Sequence, residues 1–174
     1  MKSIICADDE DTIQKILTRI LESRGYDVRM YGNGEEVINA FNQRKADLIL
    51  LDVSMPVKSG LETCRELRRS PDSFDVPIIM ISGLGSEDSI TEGLEAGADD
   101  YILKPFKPDE ILAKVSVTLK KREAQTACDL GMAVGTRFVG RYDITRKLTS
   151  GGVSSIFHAV DVSIHPPTEV ALKI

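Results

Sequence analysis

Asp8, Asp9, Asp52, Ser82 and Lys104 each stand at or just past the end of a short apolar run. The runs are Ile4-Ile5-Cys6-Ala7, Leu48-Ile49-Leu50-Leu51, Val76-Pro77-Ile78-Ile79-Met80-Ile81 and Tyr101-Ile102-Leu103. Singly, an acidic run is what a helix N-terminus favours, and a strand-end lysine is an ordinary surface residue. Converging on one edge, they make a reaction site. Three crowded carboxylates repel and resist ionisation unless a cation sits among them. No Cys or His adjoins them, so the expected cation is hard and oxygen-loving, Mg²⁺ or Mn²⁺. Around it, a carboxylate, a hydroxyl and an ammonium would receive a phosphoryl group. Asp52 would be the nucleophile that becomes an acyl phosphate. Lys104, Ser82 and the cation would neutralise the oxygens of the transferring group.

The elements that must position these residues follow from hydrophobic periodicity. Ile13, Ile16, Leu17, Ile20 and Leu21 recur at helical spacing after the first run, and Gly25 ends that helix. Val28–Met30 reads as a weaker second strand, and Val37, Ile38 and Phe41 mark a short helix. The run ending at Asp52 is apolar without alternation, as in a strand covered on both faces. Met55-Pro56 and Gly60 then force a loop over its carboxyl end. Leu61, Cys64 and Leu67 line a third helix, Ile90, Leu94 and Ala98 a fourth stopped near Gly97, and Ile111, Leu112, Val115 and Leu119 a fifth. Strands alternating with helices predict a doubly wound parallel sheet with right-handed crossovers. In such a sheet, sites lie at the carboxyl ends of the strands.

Residues 1–122 resemble a response regulator receiver domain, a flavodoxin-like (βα)5 fold. The resemblance is carried by Asp8-Asp9, by Asp52 within Asp-Val-Ser-Met-Pro-Val-Lys-Ser-Gly, by Ser82-Gly83, by Tyr101 and by Lys104-Pro105-Phe106. It implies that Asp52 accepts phosphate from a sensor histidine kinase or phosphotransfer protein. It further implies that Asp9, Asp52 and the Ser54 carbonyl bind Mg²⁺ directly, that Asp8 acts through water, and that Lys104 contacts the phosphoryl group beside a cis bond to Pro105. Ser82 and Tyr101 would be the switch, changing the helix 4–strand 5–helix 5 surface that meets a downstream protein. A homodimer is a further partner compatible with the resemblance. Three other readings fit less well. A haloacid dehalogenase would want a second Asp where Ser54 stands. A pseudo-receiver would lack one of Asp9, Asp52, Ser82 or Lys104. A flavin or nucleotide binder would want a phosphate-cradling loop after the first strand, where this chain is acidic.

Composition narrows the setting. The chain has 174 residues, 42% hydrophobic and 28% charged, with formal net charge −5. From Glu123 onward five acidic and five basic residues balance, so the excess lies in residues 1–122. No basic patch predicts nucleic-acid binding, and no apolar run approaches a membrane span. The N-terminus is too short of apolar residues before Asp8 for a signal sequence. Cys6, Cys64 and Cys128 are far apart, and Cys6 and Cys64 sit on apolar stripes as reduced thiols of a cytoplasmic protein would.

After Arg122 the character changes. Residues 123–137 read as a linker, though Glu123–Ala127 could extend the fifth helix. Residues 138–174 resemble the opening of a Ser/Thr protein kinase N-lobe. Val170-Ala171-Leu172-Lys173 matches the third-strand motif whose lysine pairs nucleotide phosphates, and Leu148–Ile156 stands where the Gly-rich loop would. Only the middle glycine of that loop, Gly151, is kept, with Thr149 and Ser154 in place of the others. Gly151, Gly152 and Lys173 are the nucleotide-binding candidates. With no catalytic loop and no metal-binding DFG, the segment is expected to be inactive. An alternative role for the chain is the regulatory receiver of a hybrid receiver–Ser/Thr kinase.

Overall fold

A computed structural model describes residues 1–70, 73, 76–83, 87–130, 135, 137–150 and 155–173. The chain divides into two compact units, Met1–Lys120 and Lys121–Ile174.

The first unit is a five-stranded parallel sheet of order β2-β1-β3-β4-β5, with strands β1 (Ser3–Ala7), β2 (Asp27–Tyr31), β3 (Leu48–Asp52), β4 (Ile78–Ser82) and β5 (Asp100–Leu103). The helices are α1 (Asp11–Glu22), α2 (Gly34–Gln43), α3 (Gly60–Arg69), α4 (Glu87–Glu95) and α5 (Pro108–Leu130). Side chains alternate along each strand, so each sheet face gathers its own core. Ile5, Ala7, Ile49, Leu51, Ile78, Met80 and Tyr101 pack with Val37 and Phe41 of α2 and Cys64 and Leu67 of α3. Ile4, Cys6, Leu48, Leu50, Ile79, Ile81 and Ile102 pack with Leu17 and Leu21 of α1 and Ile111, Val115 and Leu119 of α5. The aliphatic residues of the central strand are fully buried from Leu48 to Leu51, each stabilising the fold by roughly 1.5–3 kcal/mol relative to exposure. Burial pushes the thiol of Cys64 up to about 11 and that of Cys6 higher still, so both are inert thiols.

Two boundaries depart from expectation. β4 begins at Ile78 rather than Val76, because Pro77 has no N–H to donate to the ladder. Its carbonyl still accepts from Ile49 N at 2.9 Å. Helix α5 runs on past Arg122 to Leu130. The basic cluster at Lys120–Arg122 reads as a last turn, but Glu123–Leu130 contains neither Gly nor Pro and continues the helix. The first part of the stretch expected as a linker is therefore helical.

The second unit holds an antiparallel sheet in the order β6 (Arg137–Phe138), β7 (Tyr142–Ser150), β8 (Ser155–Asp161) and β9 (Thr168–Lys173). Ile144, Phe157 and Ala159 form its core, with Phe138, Tyr142, Val170 and Leu172 packed against them. Asp161, 3% exposed, is bound by Arg141 at 2.6 Å. Hydrogen bonds from Arg141 and Ser163 hold its carboxyl well below the carboxylate range.

Candidate functional site

The period-two alternation that builds the core also builds the site. Ile4, Cys6 and Asp8 fall on one parity of β1, Leu48, Leu50 and Asp52 on one parity of β3, and Ile102 and Lys104 on one parity of β5. The apolar members of all three series pack on the same sheet face. Continued past the strand ends, the same series brings Asp8, Asp52 and Lys104 together. The pairing of Ala7 with Leu51 sets Asp8 level with Asp52. These two strands flank the point where strand order reverses, the crevice in which open α/β sheets bind their ligands.

The Lys104 ammonium lies 2.7 Å from Asp8 Oδ2 and 2.7 Å from Asp52 Oδ1. Glu10 Oε1, a group the sequence reading did not single out, stands 3.7 Å away. Asp8 is fully buried and Asp52 is 4% exposed. Asp52 Oδ2 accepts from Ser54 N at 2.9 Å, and Asp8 Oδ1 accepts from Glu10 N at 3.0 Å. Burial raises the Asp52 carboxyl above the ordinary carboxylate range, and the Asp8 charge adds to this. The contact with Lys104 and the Ser54 amide pull it back without cancelling the rise. Burial alone would lower the Lys104 ammonium, but its contacts with Asp52 and Asp8 outweigh that and raise it. Lys104 therefore stays charged and offsets part of the repulsion between two carboxylates held side by side.

The remaining candidates are distributed around this trio. Asp9 and Ser54 are exposed at the same edge. Ser82 ends β4, 2% exposed, and its carbonyl accepts from Lys104 N at 2.7 Å. Tyr101, 8% exposed, pairs with Met80 across β4 and β5 and belongs to the core on the opposite sheet face from Ile102. The Lys104–Pro105 bond is cis. In the second unit, the backbone of Lys173 pairs with Ile156; Gly151 and Gly152 lie outside the described residues.

Gly60, also not singled out as a site residue, sets the position of the Asp52 backbone. Ser59 caps α3 by a reciprocal pair of hydrogen bonds with Glu62, and Gly60 N donates to Val53 O at 3.1 Å. A Cβ on Gly60 would fall 2.1 Å from the Asp52 carbonyl oxygen. Backbone meets backbone there, so no rotamer change can relieve the clash. Gly60→Ala is expected to cost about 3 kcal/mol, the upper part of the usual overpacking range, read as a lower midpoint in urea unfolding. An unchanged midpoint would show that α3 can shift freely.

Among the described residues, no three His, Cys, Asp or Glu side chains converge closely enough to hold a metal ion as they stand. The acidic trio nonetheless suits a hard divalent cation. Asp8 Oδ2 is buried against the Lys104 ammonium, and Asp8 Oδ1 accepts from Glu10 N. Asp52 shares its buried carboxylate with one backbone amide and one ammonium, and Asp9 stands next to Asp8 at the open edge. Every donor on offer is an oxygen.

The family model for the response regulator receiver domain matches residues 4–116. The phosphate regulon transcriptional regulatory protein PhoB of Pseudomonas aeruginosa is 42% identical over 120 residues, covering 69% of this chain and 52% of that protein. The DNA-binding response regulator MtrA of Mycolicibacterium smegmatis is 34% identical over 144 residues, covering 83% of this chain and 62% of that protein. The chain thus spans between half and two thirds of the length of these relatives. Among solved structures, the receiver domain of the sensor histidine kinase PA1611 of Pseudomonas aeruginosa, with a magnesium ion coordinated in its active site cleft, matches at TM-score 0.65 and 28% identity, over 68% of this chain and 98% of that one. The Vibrio cholerae chemotaxis protein CheY4 matches at TM-score 0.64 and 28% identity, over 67% of this chain and 97% of that one.

Proposed function

Since this chain belongs to the response regulator receiver family, we propose that Asp52 is its phosphoacceptor, charged by the phosphohistidine of a sensor histidine kinase or a phosphotransfer protein. The observation that carries the reading is the buried Asp8–Lys104–Asp52 trio at the carboxyl edge of a parallel sheet. A carboxylate oxygen of Asp52 attacks phosphorus, the phosphorus–nitrogen bond of the donor breaks, and the released imidazole takes up a proton from solvent. Burial makes the ionised Asp52 a poorly solvated and hence more reactive nucleophile. Lys104, once Asp52 carries the phosphoryl group, redirects its ammonium from carboxylate to phosphoryl oxygen. Ser82 ends its strand beside the acceptor and supplies the hydroxyl that follows the new charge, with Tyr101 responding on β5. The helix 4–strand 5–helix 5 face, α4–β5–α5 in the structure, is the surface offered to a downstream protein or a second copy.

Mg²⁺ would be held by Asp9, Asp52 and the Ser54 carbonyl, with Asp8 behind a water, and would supply charge neutralisation to the transferring group. Two measurements test this. Incubation with acetyl phosphate and Mg²⁺ is expected to add one phosphoryl group by intact mass, and EDTA to prevent it. Mg²⁺ at a hundredfold excess over its Kd is expected to stabilise the fold by about 2.7 kcal/mol, or roughly 5–10 °C in Tm. A Tm indifferent to Mg²⁺ would count against the ligand set.

For residues 138–174 we infer the opening strands of a Ser/Thr kinase N-lobe, with Gly151, Gly152 and Lys173 toward nucleotide. The reading is supported by the antiparallel succession β7, β8 and β9, which ends at Lys173. It makes a regulatory receiver of a hybrid kinase the alternative role. Calorimetry with ATP tests it: the segment by itself is expected not to bind ATP tightly, and micromolar affinity lost in Lys173→Met would overturn that expectation and make Lys173 a working ligand.

A further inference from the structure

Val57 stands out by its backbone. It is 79% exposed and has a φ of 67°, a region that a β-branched residue enters only under strain. Lys58 N donates to Pro56 O at 2.7 Å across it, so Val57 is the apex of a three-residue γ-turn of the rare positive-φ kind. Such a conformation persists only where its surroundings over-determine it. The turn lies in residues 53–59, the loop between β3 and α3 that carries Ser54, whose carbonyl belongs to the proposed Mg²⁺ ligand set.

Two helices hold the loop. On the α3 side, Gly60 N donates to Val53 O at 3.1 Å, Thr63 Oγ1 donates to Ser59 O at 2.7 Å, and the Lys58 ammonium pairs with Glu66. On the α2 side, Gly34 N donates to Lys58 O at 3.1 Å. The backbone of Lys58 therefore grips the turn twice: its N–H closes the turn and its carbonyl is tied to α2. Gly34 is not among the glycines of positive φ; what it supplies is close approach. A Cβ on it would fall 1.7 Å from Thr63 Oγ1, 3.0 Å from Thr63 Cβ and 2.9 Å from the Lys58 carbonyl oxygen. Thr63 is fully buried and the carbonyl is backbone, so no rotamer relieves all three contacts. Helix α2 would have to withdraw, and the bond to Lys58 O would go with it.

We propose that Gly34 is a positioning residue for the metal site: by admitting α2 against Thr63 it holds Lys58 O, and so keeps the loop in the strained form that fixes where the Ser54 carbonyl stands. The inference rests on the reading of Ser54 as a ligand. The strain at Val57 is the mark of that hold, since an unheld loop would relax Val57 to negative φ. Asp52 ends β3 and Asp8 follows β1, so the sheet places both carboxylates independently of α2. Loss of the hold should thus weaken Mg²⁺ binding without dismantling the Asp8–Lys104–Asp52 trio.

The test uses the full chain and two readouts. The Ser54 amide resonance, followed by NMR through a Mg²⁺ titration, gives Kd, and calorimetry in EDTA gives the Tm of the receiver unit. Gly34→Ala is expected to weaken Mg²⁺ binding about tenfold, the low end for losing a contact that supports a metal ligand. Val57→Gly relieves the strain and should raise Tm by roughly 2–6 °C in the unsubstituted background. In the Gly34→Ala background the gain should largely vanish, because the loop has already relaxed. Asn33→Ala removes the α2 cap that accepts from Glu36 N at 3.0 Å. It loosens the same turn of α2 without a clash and should act in the same two directions, so it carries the test if Gly34→Ala does not fold. An unchanged Kd in both variants would overturn the proposal, and so would an equal gain from Val57→Gly in all backgrounds. A Ser54 amide indifferent to Mg²⁺ in the unsubstituted protein would defeat the ligand reading instead; the Tm coupling, read in EDTA, still decides the hold of α2 on the loop.

Discussion

Asp52→Asn takes up no phosphoryl group from acetyl phosphate and Mg²⁺ under conditions where the unsubstituted protein gains one. The substitution keeps the shape of the side chain and removes only the nucleophilic charge. Its effect on stability should run the other way. Burial holds the Asp52 carboxyl above its ordinary range, so the folded state binds its proton more tightly than the unfolded chain does. The sign follows from linkage: the fold is favoured by this group below the unfolded value and loses that advantage as pH rises through the folded one. At neutral pH the ionised carboxylate is therefore a net burden without metal. Asp52→Asn should melt higher than the unsubstituted protein in EDTA, and should forfeit most of the gain that Mg²⁺ confers. Loss of phosphoryl uptake together with a lower Tm in EDTA would mean that Asp52 is structural and that the activity loss is indirect.

Lys104→Met is expected to be costly in both respects. The ammonium is the partner of two carboxylates at once, at 2.7 Å from each, and its side chain is only 16% exposed. Removing one member of a buried ion cluster leaves uncompensated charge, which costs about 3–5 kcal/mol. The lower figure fits a lysine that still reaches solvent. The cost should shrink as pH falls, because protonating Asp52 relieves the repulsion with Asp8. In the unsubstituted protein, Lys104 is raised by its carboxylate partners, so its contribution is complete below the unfolded lysine value and lost only as pH climbs through the folded one. Loss of a preorganised cation at the transferring group should slow phosphoryl uptake by about 10²–10³. Urea unfolding at neutral and mildly acidic pH, with uptake rates from intact mass, checks both. A stability loss that does not diminish in acid would show that Lys104 acts through packing.

Much of this site was legible because its determinants are local. Four apolar residues ending in Asp52 define a buried strand and its carboxyl end together, and the two-residue period carries Asp8 and Lys104 to the same side. The parallel, doubly wound character of the sheet followed from alternation of strand and helix, whereas its strand order came from the structure. Harder to read were quantities that depend on tertiary approach. Nothing in the spacing says that Lys104 would bridge Asp8 and Asp52, or that Glu10 would stand close behind. Gly60 looks like punctuation in the sequence. Its meaning appears only when the atoms facing the missing Cβ are known. The end of α5 was misplaced because a basic cluster resembles a last turn, whereas the residues after it are good helix formers. β6 is two residues long and leaves no periodic trace.

The central claim, that Asp52 receives the phosphoryl group, is tested most directly by locating the bond. The protein is charged with acetyl phosphate and Mg²⁺, treated with hydroxylamine to convert the acyl phosphate to a stable hydroxamate, and mapped by peptide mass spectrometry. The hydroxamate is expected on Asp52 alone. A hydroxamate on Asp8 or Asp9, or a phosphoryl group that hydroxylamine does not remove, would contradict it.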